Sequence, residues 1–143
     1  MHKYFFLLLF LPFTACSGNT ENKHNVGETS VQESIVQVVD VEGFEEAMNK
    51  ENIIVLDVRT DGEVAQGVIP GAIQIDYMDN EEFKEGIAQL EKNKEILVYC
   101  KVGGRSAKAA SYLKENGFTS IYDLKGGYDA WSAAGKPTEK LNK

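Results

Sequence analysis

Two short stretches, Ile53-Ile54-Val55-Leu56 and Ile96-Leu97-Val98-Tyr99, are apolar at every position. A strand with one face in water alternates polar and apolar side chains. A strand covered on both faces has no position for a polar one. Each stretch therefore predicts an interior strand of a sheet with a layer on either side. A third run, Ile35-Val36-Gln37-Val38-Val39, is rich in β-branched residues, and short strands are expected at residues 73–75 and 120–124.

The segments between these strands read as helices. Asp40 can cap a helix whose Val41, Phe44, Ala47 and Met48 share one face. Thr60-x-x-Glu63 is a capping box, and Asp79-x-x-Glu82 is a second, ahead of Phe83, Ile87 and Leu90 on one helical face. A helix is expected over about residues 105–116, stopped by a left-handed Gly117, with Phe118 packing back on Leu113. The last helix follows Gly126-Gly127, with Tyr128 and Trp131 as its apolar face, and Gly135 and Pro137 end it. Regular alternation of this kind predicts an α/β fold: a mostly parallel central sheet with helices on both faces, in three layers.

The N-terminus has a different character. His2 and Lys3 precede a nearly unbroken apolar run at residues 4–13, then Thr14-Ala15-Cys16. A charged start, an apolar stretch and small residues form the pattern of an export signal, and the run is too short to cross a bilayer. Phe13-Thr14-Ala15-Cys16 resembles a bacterial lipobox, which implies lipidation at Cys16 and removal of residues 1–15. The alternative is an ordinary secreted chain with Cys16 as a loose thiol. Residues 16–34 are small and polar and read as a flexible tether, leaving residues 35–143 for one domain. With Ser17 after the cysteine, the expected location is the cell envelope, lipid-anchored and facing the periplasm, in the outer membrane of a Gram-negative bacterium by analogy.

The chain has 15 basic and 22 acidic side chains and no Lys/Arg run, so nucleic-acid binding has no electrostatic support. No Cys-x-x-Cys is present, and His2 and His24 fall in the signal and the tether, so neither a metal nor a cofactor is expected. Cys16 and Cys100 are the only cysteines. They could pair in a disulfide. If Cys16 carries lipid, however, Cys100 is unpaired in a compartment that favours disulfides, and an unpaired thiol there needs a reason.

The reason lies in Cys100-Lys101-Val102-Gly103-Gly104-Arg105-Ser106. This loop follows a buried strand and precedes a helix, the position where open α/β sheets bind ligands. The helix N-terminus favours an anion, and Gly103 and Gly104 let the backbone turn several N–H groups inward. Together with Lys101 and Arg105, these features would hold Cys100 as a thiolate, the nucleophilic form. The bland alternative is a buried, inert cysteine.

The loop resembles the active-site loop of single-domain rhodaneses. So do Leu56-Asp57-Val58-Arg59 with Glu63, Gly67-Val68-Ile69-Pro70-Gly71-Ala72, and the closing block from Leu124-Lys125-Gly126-Gly127 to Trp131, Gly135 and Pro137. The blocks occur in the family's order and span roughly residues 35–140; Val68 stands where the family usually has His. The resemblance implies a rhodanese-like fold and a sulfurtransferase that carries sulfur as a Cys100 persulfide. Thiosulfate or a similar small sulfur anion would be the donor, and cyanide or a thiol the acceptor. Lys101, Val102, Gly103, Gly104, Arg105 and Ser106 would bind the donor, and the membrane would be met only through the N-terminal lipid. Asp57 and Arg59 are expected to be a structural pair, Glu63 a cap and Trp131 core. Ser106 could donate to a bound anion or simply start the helix. Two other functions share the scaffold. One is a non-enzymatic sulfur carrier or binding module. The other is a cysteine-dependent phosphatase or arsenate reductase, although such loops usually place five residues between Cys and Arg and this one has four.

Overall fold

In the computed structural model, which describes residues 33–141, strands and helices alternate along the chain. The order is β1 (Ile35–Val39), α1 (Val41–Met48), β2 (Ile53–Asp57), α2 (Asp61–Val64), β3 (Ala72–Gln74), α3 (Asn80–Gln89), β4 (Glu95–Tyr99), α4 (Gly104–Glu115), β5 (Ser120–Leu124) and α5 (Gly127–Ala133). The export signal, Cys16 and the tether up to residue 32 lie outside the described residues.

The five strands form one parallel sheet in the order β1-β5-β4-β2-β3. The wholly apolar strands, β2 and β4, sit inside it, and alternation along each feeds two separate cores. Ile54, Leu56, Ile96 and Val98 pack under α3 and α4 with Phe83, Ile87, Ala109, Ala110 and Leu113. Val55, Leu97 and Tyr99 face the other way, against Val41, Phe44 and Ala47 of α1 and Trp131 of α5. A strand buried on both faces has to be apolar throughout, which is what the two runs encode. Trp131 is core, as expected: its ring meets Phe44 edge-on at 6.1 Å, and its Nε1 donates to the Pro137 carbonyl at 2.9 Å.

Local signals fix the helix ends. Thr60 and Glu63 form the reciprocal capping box of α2. Asp79 caps α3 by accepting from the amides of Glu81 and Glu82 at 3.1 and 3.0 Å. Gly117 takes φ +89, and the Phe118 amide returns to the Leu113 carbonyl at 3.1 Å. Helix α4 starts at Gly104, one residue earlier than expected, because Gly103 serves as its left-handed N-cap. Val68 is fully buried and exchanges two hydrogen bonds with Glu139, so the departure from His is absorbed in packing between the chain's closing segment and the turn before β3.

Candidate active site

Cys100 is the first residue beyond β4, an interior strand, with α4 beginning four residues later. Gly103 adopts φ +103, a conformation open to glycine and strained for other residues. The turn brings the Gly103 amide to 3.1 Å from Cys100 Sγ. The amides of Val102 and Ser106 and the Ser106 hydroxyl lie close enough to favour the ionised sulfur. Cys100 itself is only 1% exposed. Burial pushes its thiol pKa up, but the Ser106 amide and hydroxyl and the amides of Gly103 and Val102 outweigh it, holding the thiol below its ordinary value. The side chain is thus buried, with its sulfur accepting from the turn of the loop.

The loop is braced from behind by α5. The Tyr128 amide donates to the Cys100 carbonyl at 2.8 Å and the Asp129 amide to the Lys101 carbonyl at 3.0 Å. Gly127 makes this approach possible. Its φ is +59, and a Cβ there would lie 2.6 Å from the Lys101 carbonyl oxygen and closer still to that of Cys100.

The cations of the loop have partners of their own. Arg105 Nη1 and Nη2 donate to Glu63 Oε2 and Oε1 at 2.7 and 2.6 Å, a two-pronged pair. Glu63 also accepts from the Thr60 amide and hydroxyl at 3.0 and 2.9 Å. With Arg105 as the chief cause and burial opposing it, the Glu63 carboxyl is lowered to about 2. Lys101 Nζ lies 3.6 Å from Asp129 Oδ1, with both side chains about half exposed. Arg105 still feels the charge on Cys100, but the group within hydrogen-bond distance of the sulfur is the Gly103 amide. Val102 and Gly104 form the exposed rim, Gly103 is half-buried, and Ser106 is fully buried with its hydroxyl also 3.2 Å from the Gly103 carbonyl.

Next to the loop, a cleft of about 150 Å³ is lined by Arg59, Glu63, Gln66, Lys101 and Tyr128 among others. Arg59 is 2% exposed and pairs with the fully buried Asp57: Nε lies 3.0 Å from both carboxylate oxygens and Nη2 2.6 Å from Oδ2. The guanidinium also donates to the Gly67 carbonyl at 2.8 Å and lies 3.9 Å from the centre of the Tyr128 ring. This geometry is that of a structural pair tying the end of β2 to the turn before β3.

Sequence reasoning missed three residues. Glu63 was read only as a cap, although an acid at the mouth of an Arg-bearing loop signals an ion pair. Gly127 reads as part of a helix start and of the closing block, with nothing to mark its approach to the loop. Asp123 was not singled out, although it is the one charged residue in Ser120-Ile121-Tyr122-Asp123-Leu124, a strand otherwise apolar or neutral. Among the described residues, no group of three or more His, Cys, Asp or Glu side chains could hold a metal ion.

Fold and site define an α/β protein with a single cysteine cradled by an amide-lined loop at the carboxyl end of a parallel sheet. The chain belongs to the rhodanese-like domain family, which it matches over residues 40–134. It is 31% identical over 104 residues to a sulfurtransferase of Allochromatium vinosum, spanning 72% of this chain and 94% of the relative. It is 41% identical over 93 residues to the chloroplastic thiosulfate sulfurtransferase 16 of Arabidopsis thaliana, spanning 59% and 78%. The crystal structure of a rhodanese-related protein from Thermoplasma volcanium superposes with a TM-score of 0.65 at 30% identity, covering 73% of this chain and 99% of that one. These relatives support a rhodanese-type transferase.

Proposed function

We propose that the protein moves sulfane sulfur from thiosulfate, or a similar small sulfur anion, to a thiol or cyanide acceptor through a persulfide on Cys100. The observation that carries this reading is the left-handed turn at Gly103 that sets its amide 3.1 Å from the buried Cys100 sulfur, in a loop whose donors hold the thiol pKa below its ordinary value. In the first half-reaction the Cys100 thiolate attacks the outer sulfur of thiosulfate. A new S–S bond forms, the old S–S bond breaks, and sulfite leaves with its electron pair. The persulfide keeps one negative charge, so the donors that held the thiolate also suit the product. In the second half-reaction the acceptor attacks the outer sulfur and the thiolate returns. No proton has to move in either step when thiosulfate and cyanide are the reactants. Fixed dipoles suit such chemistry because they need no reorganisation as the charge shifts by one atom. In this reading the lipid-modified Cys16 holds the domain at a membrane facing the periplasm, where residues 16–34 give it reach.

The test is intact mass after thiosulfate treatment, combined with conversion of thiosulfate and cyanide to thiocyanate. Wild type is expected to gain one sulfur, mapping to Cys100, and to turn over with ping-pong kinetics. Cys100→Ser is expected to do neither. Equal turnover by the two proteins would refute the reading.

A further inference from the structure

Strand β1 is a sheet edge without the usual protection. It pairs with β5 on one side and, among the described residues, with no strand on the other. Edge strands are commonly very short, or carry a proline, a lysine or an inward charge, which stops further chains from adding to them. The opposite edge of the sheet, β3, is three residues long. By contrast, β1 is Ile35-Val36-Gln37-Val38-Val39, five residues with no charge and no proline. Ile35 is 53% exposed, Val36 38% and Val38 66%, and Gln37 is exposed as well, so both faces of the strand stand open along most of its length.

The backbone of this edge has a defined set of free groups. In a parallel ladder the N–H and C=O of one residue point to the same side, and the side alternates along the strand. The Ile35 amide donates to the Thr119 carbonyl at 2.8 Å, and the Val39 carbonyl accepts from the Lys125 amide at 2.8 Å. Residues 35, 37 and 39 therefore face β5, and the N–H and C=O of Val36 and Val38 face outward. What fits them is the same edge turned about a two-fold axis through Gln37. In that antiparallel register, Val36 lies opposite the partner's Val38 and Val38 opposite the partner's Val36, each couple exchanging both of its hydrogen bonds. Ile35 lies opposite the partner's Val39, and Gln37 opposite the partner's Gln37. Apolar meets apolar and amide meets amide, because the sequence reads nearly the same in both directions. Moving the register two residues one way sets Asp40 against a valine of the partner, and moving it by one residue turns the free donors away from each other.

We propose that β1 is a self-association edge, where a second copy of this chain adds antiparallel through Val36 and Val38 and the two sheets become one. Paired valines on one face and the glutamines on the other supply the cross-strand contacts. A pairing of five residues is smaller than the ~800 Å² per partner of a standard interface, so the copies are expected to exchange and are best detected by a trap. The inference stands apart from the sulfur chemistry, and its test uses no sulfur donor.

The experiment introduces Gln37→Cys into the full chain, in mild detergent, and follows disulfide formation under copper–phenanthroline oxidation, with the linked peptides identified by mass. Cysteines opposite each other in a non-hydrogen-bonded antiparallel pair are close enough to join. The introduced thiol is expected to link to its own counterpart, at a rate that rises with protein concentration and exceeds that of Ser111→Cys, an exposed site on α4. Adding Val38→Pro removes an outward N–H while leaving the ladder to β5 intact, and is expected to slow the linkage by about thirtyfold with the urea midpoint unchanged. Should Val38→Pro lower the urea midpoint, Val38→Lys takes its place: its side chain is exposed in the monomer, and it sets like charges together across the pairing. The expected result for it is the same loss of linkage. Linkage of Gln37→Cys no faster than Ser111→Cys would overturn the proposal, and is the result expected if the residues before 33 or another protein cover this edge. So would a linkage rate that neither Val38 variant reduces.

Discussion

Gly127→Ala tests whether the reactive loop owes its shape to the helix behind it. Alanine at φ +59 costs about 1–2 kcal/mol relative to a right-handed position. The new Cβ would sit 2.6 Å from the Lys101 carbonyl oxygen, where ordinary contact begins near 3.4 Å. Both groups are backbone, so no flexible side chain can give way. The loop has to retreat by most of an ångström, which carries the bonds from Tyr128 N to Cys100 O (2.8 Å) and from Asp129 N to Lys101 O (3.0 Å) beyond useful range. At about 1 kcal/mol each, their loss brings the total to about 3–4 kcal/mol. For a domain of this size that corresponds to a Tm lower by roughly 10–20 °C. Urea unfolding measures the energy, and the alkylation rate of Cys100 measures the loop. The rate at neutral pH is expected to fall, because the displaced carbonyls take Cys100 away from the amides of Gly103 and Ser106. Gly62→Ala is the control: nothing lies within 4 Å of its Cβ position and its φ is unstrained, so stability should hold or rise slightly. A Gly127→Ala protein within 1 kcal/mol of wild type and alkylated at the same rate would refute the reasoning.

Two further substitutions probe the charges around the site. Glu63 has a folded-state pKa lowered from 4.5 to about 2, so its pairing stabilises the protein above the ordinary carboxylate range and is lost as pH falls towards 2. Urea midpoints between pH 6 and 2 should therefore fall less steeply in Glu63→Gln than in wild type; parallel curves would show that the Arg105 pair contributes nothing. Asp57→Asn leaves Arg59 buried with its charge uncompensated and is expected to cost about 3–5 kcal/mol in urea unfolding. A loss below 1 kcal/mol would show that the Gly67 carbonyl and the Tyr128 ring are enough to hold the guanidinium.

The features legible in the sequence were those encoded by neighbours along the chain. Unbroken apolar runs gave β2 and β4 their place inside the sheet, because burial on both faces leaves its mark on every residue of a strand. The Thr60–Glu63 box and Gly117 were legible because caps bond within a few residues of themselves. The pairing of Glu63 with Arg105 spans 42 residues, and the burial of Asp123 depends on the helix packed over its strand. Neither has a local signature: an acid at the start of a helix is already explained as a cap, and an acid in a strand looks like a solvent-facing position. The exposed β1 illustrates the same limit from the other side. Its β-branched run marks a strand but not its place, and it is the sheet edge, with Val38 66% exposed. Propensity marks a strand; which strand lies beside it is decided by the topology of the whole chain.

Read from composition, Lys101 and Arg105 are the obvious supports for an anionic sulfur. The structure gives each of them a carboxylate partner and sets a main-chain amide, that of Gly103, on the sulfur. The distinction matters because Cys100 is buried. A mobile cation would have to be buried with it, at a desolvation cost that main-chain dipoles, already fixed by the fold, do not incur. Amides can be aimed at one atom only if the backbone turns sharply. Here the turn depends on a left-handed Gly103, with a second left-handed glycine, Gly127, letting α5 press against the loop from behind. The shape of the loop around Cys100 thus depends on two residues with no side chain and no charge. Net charge and the count of basic residues say nothing about them, whereas the order and spacing of glycines around the cysteine do.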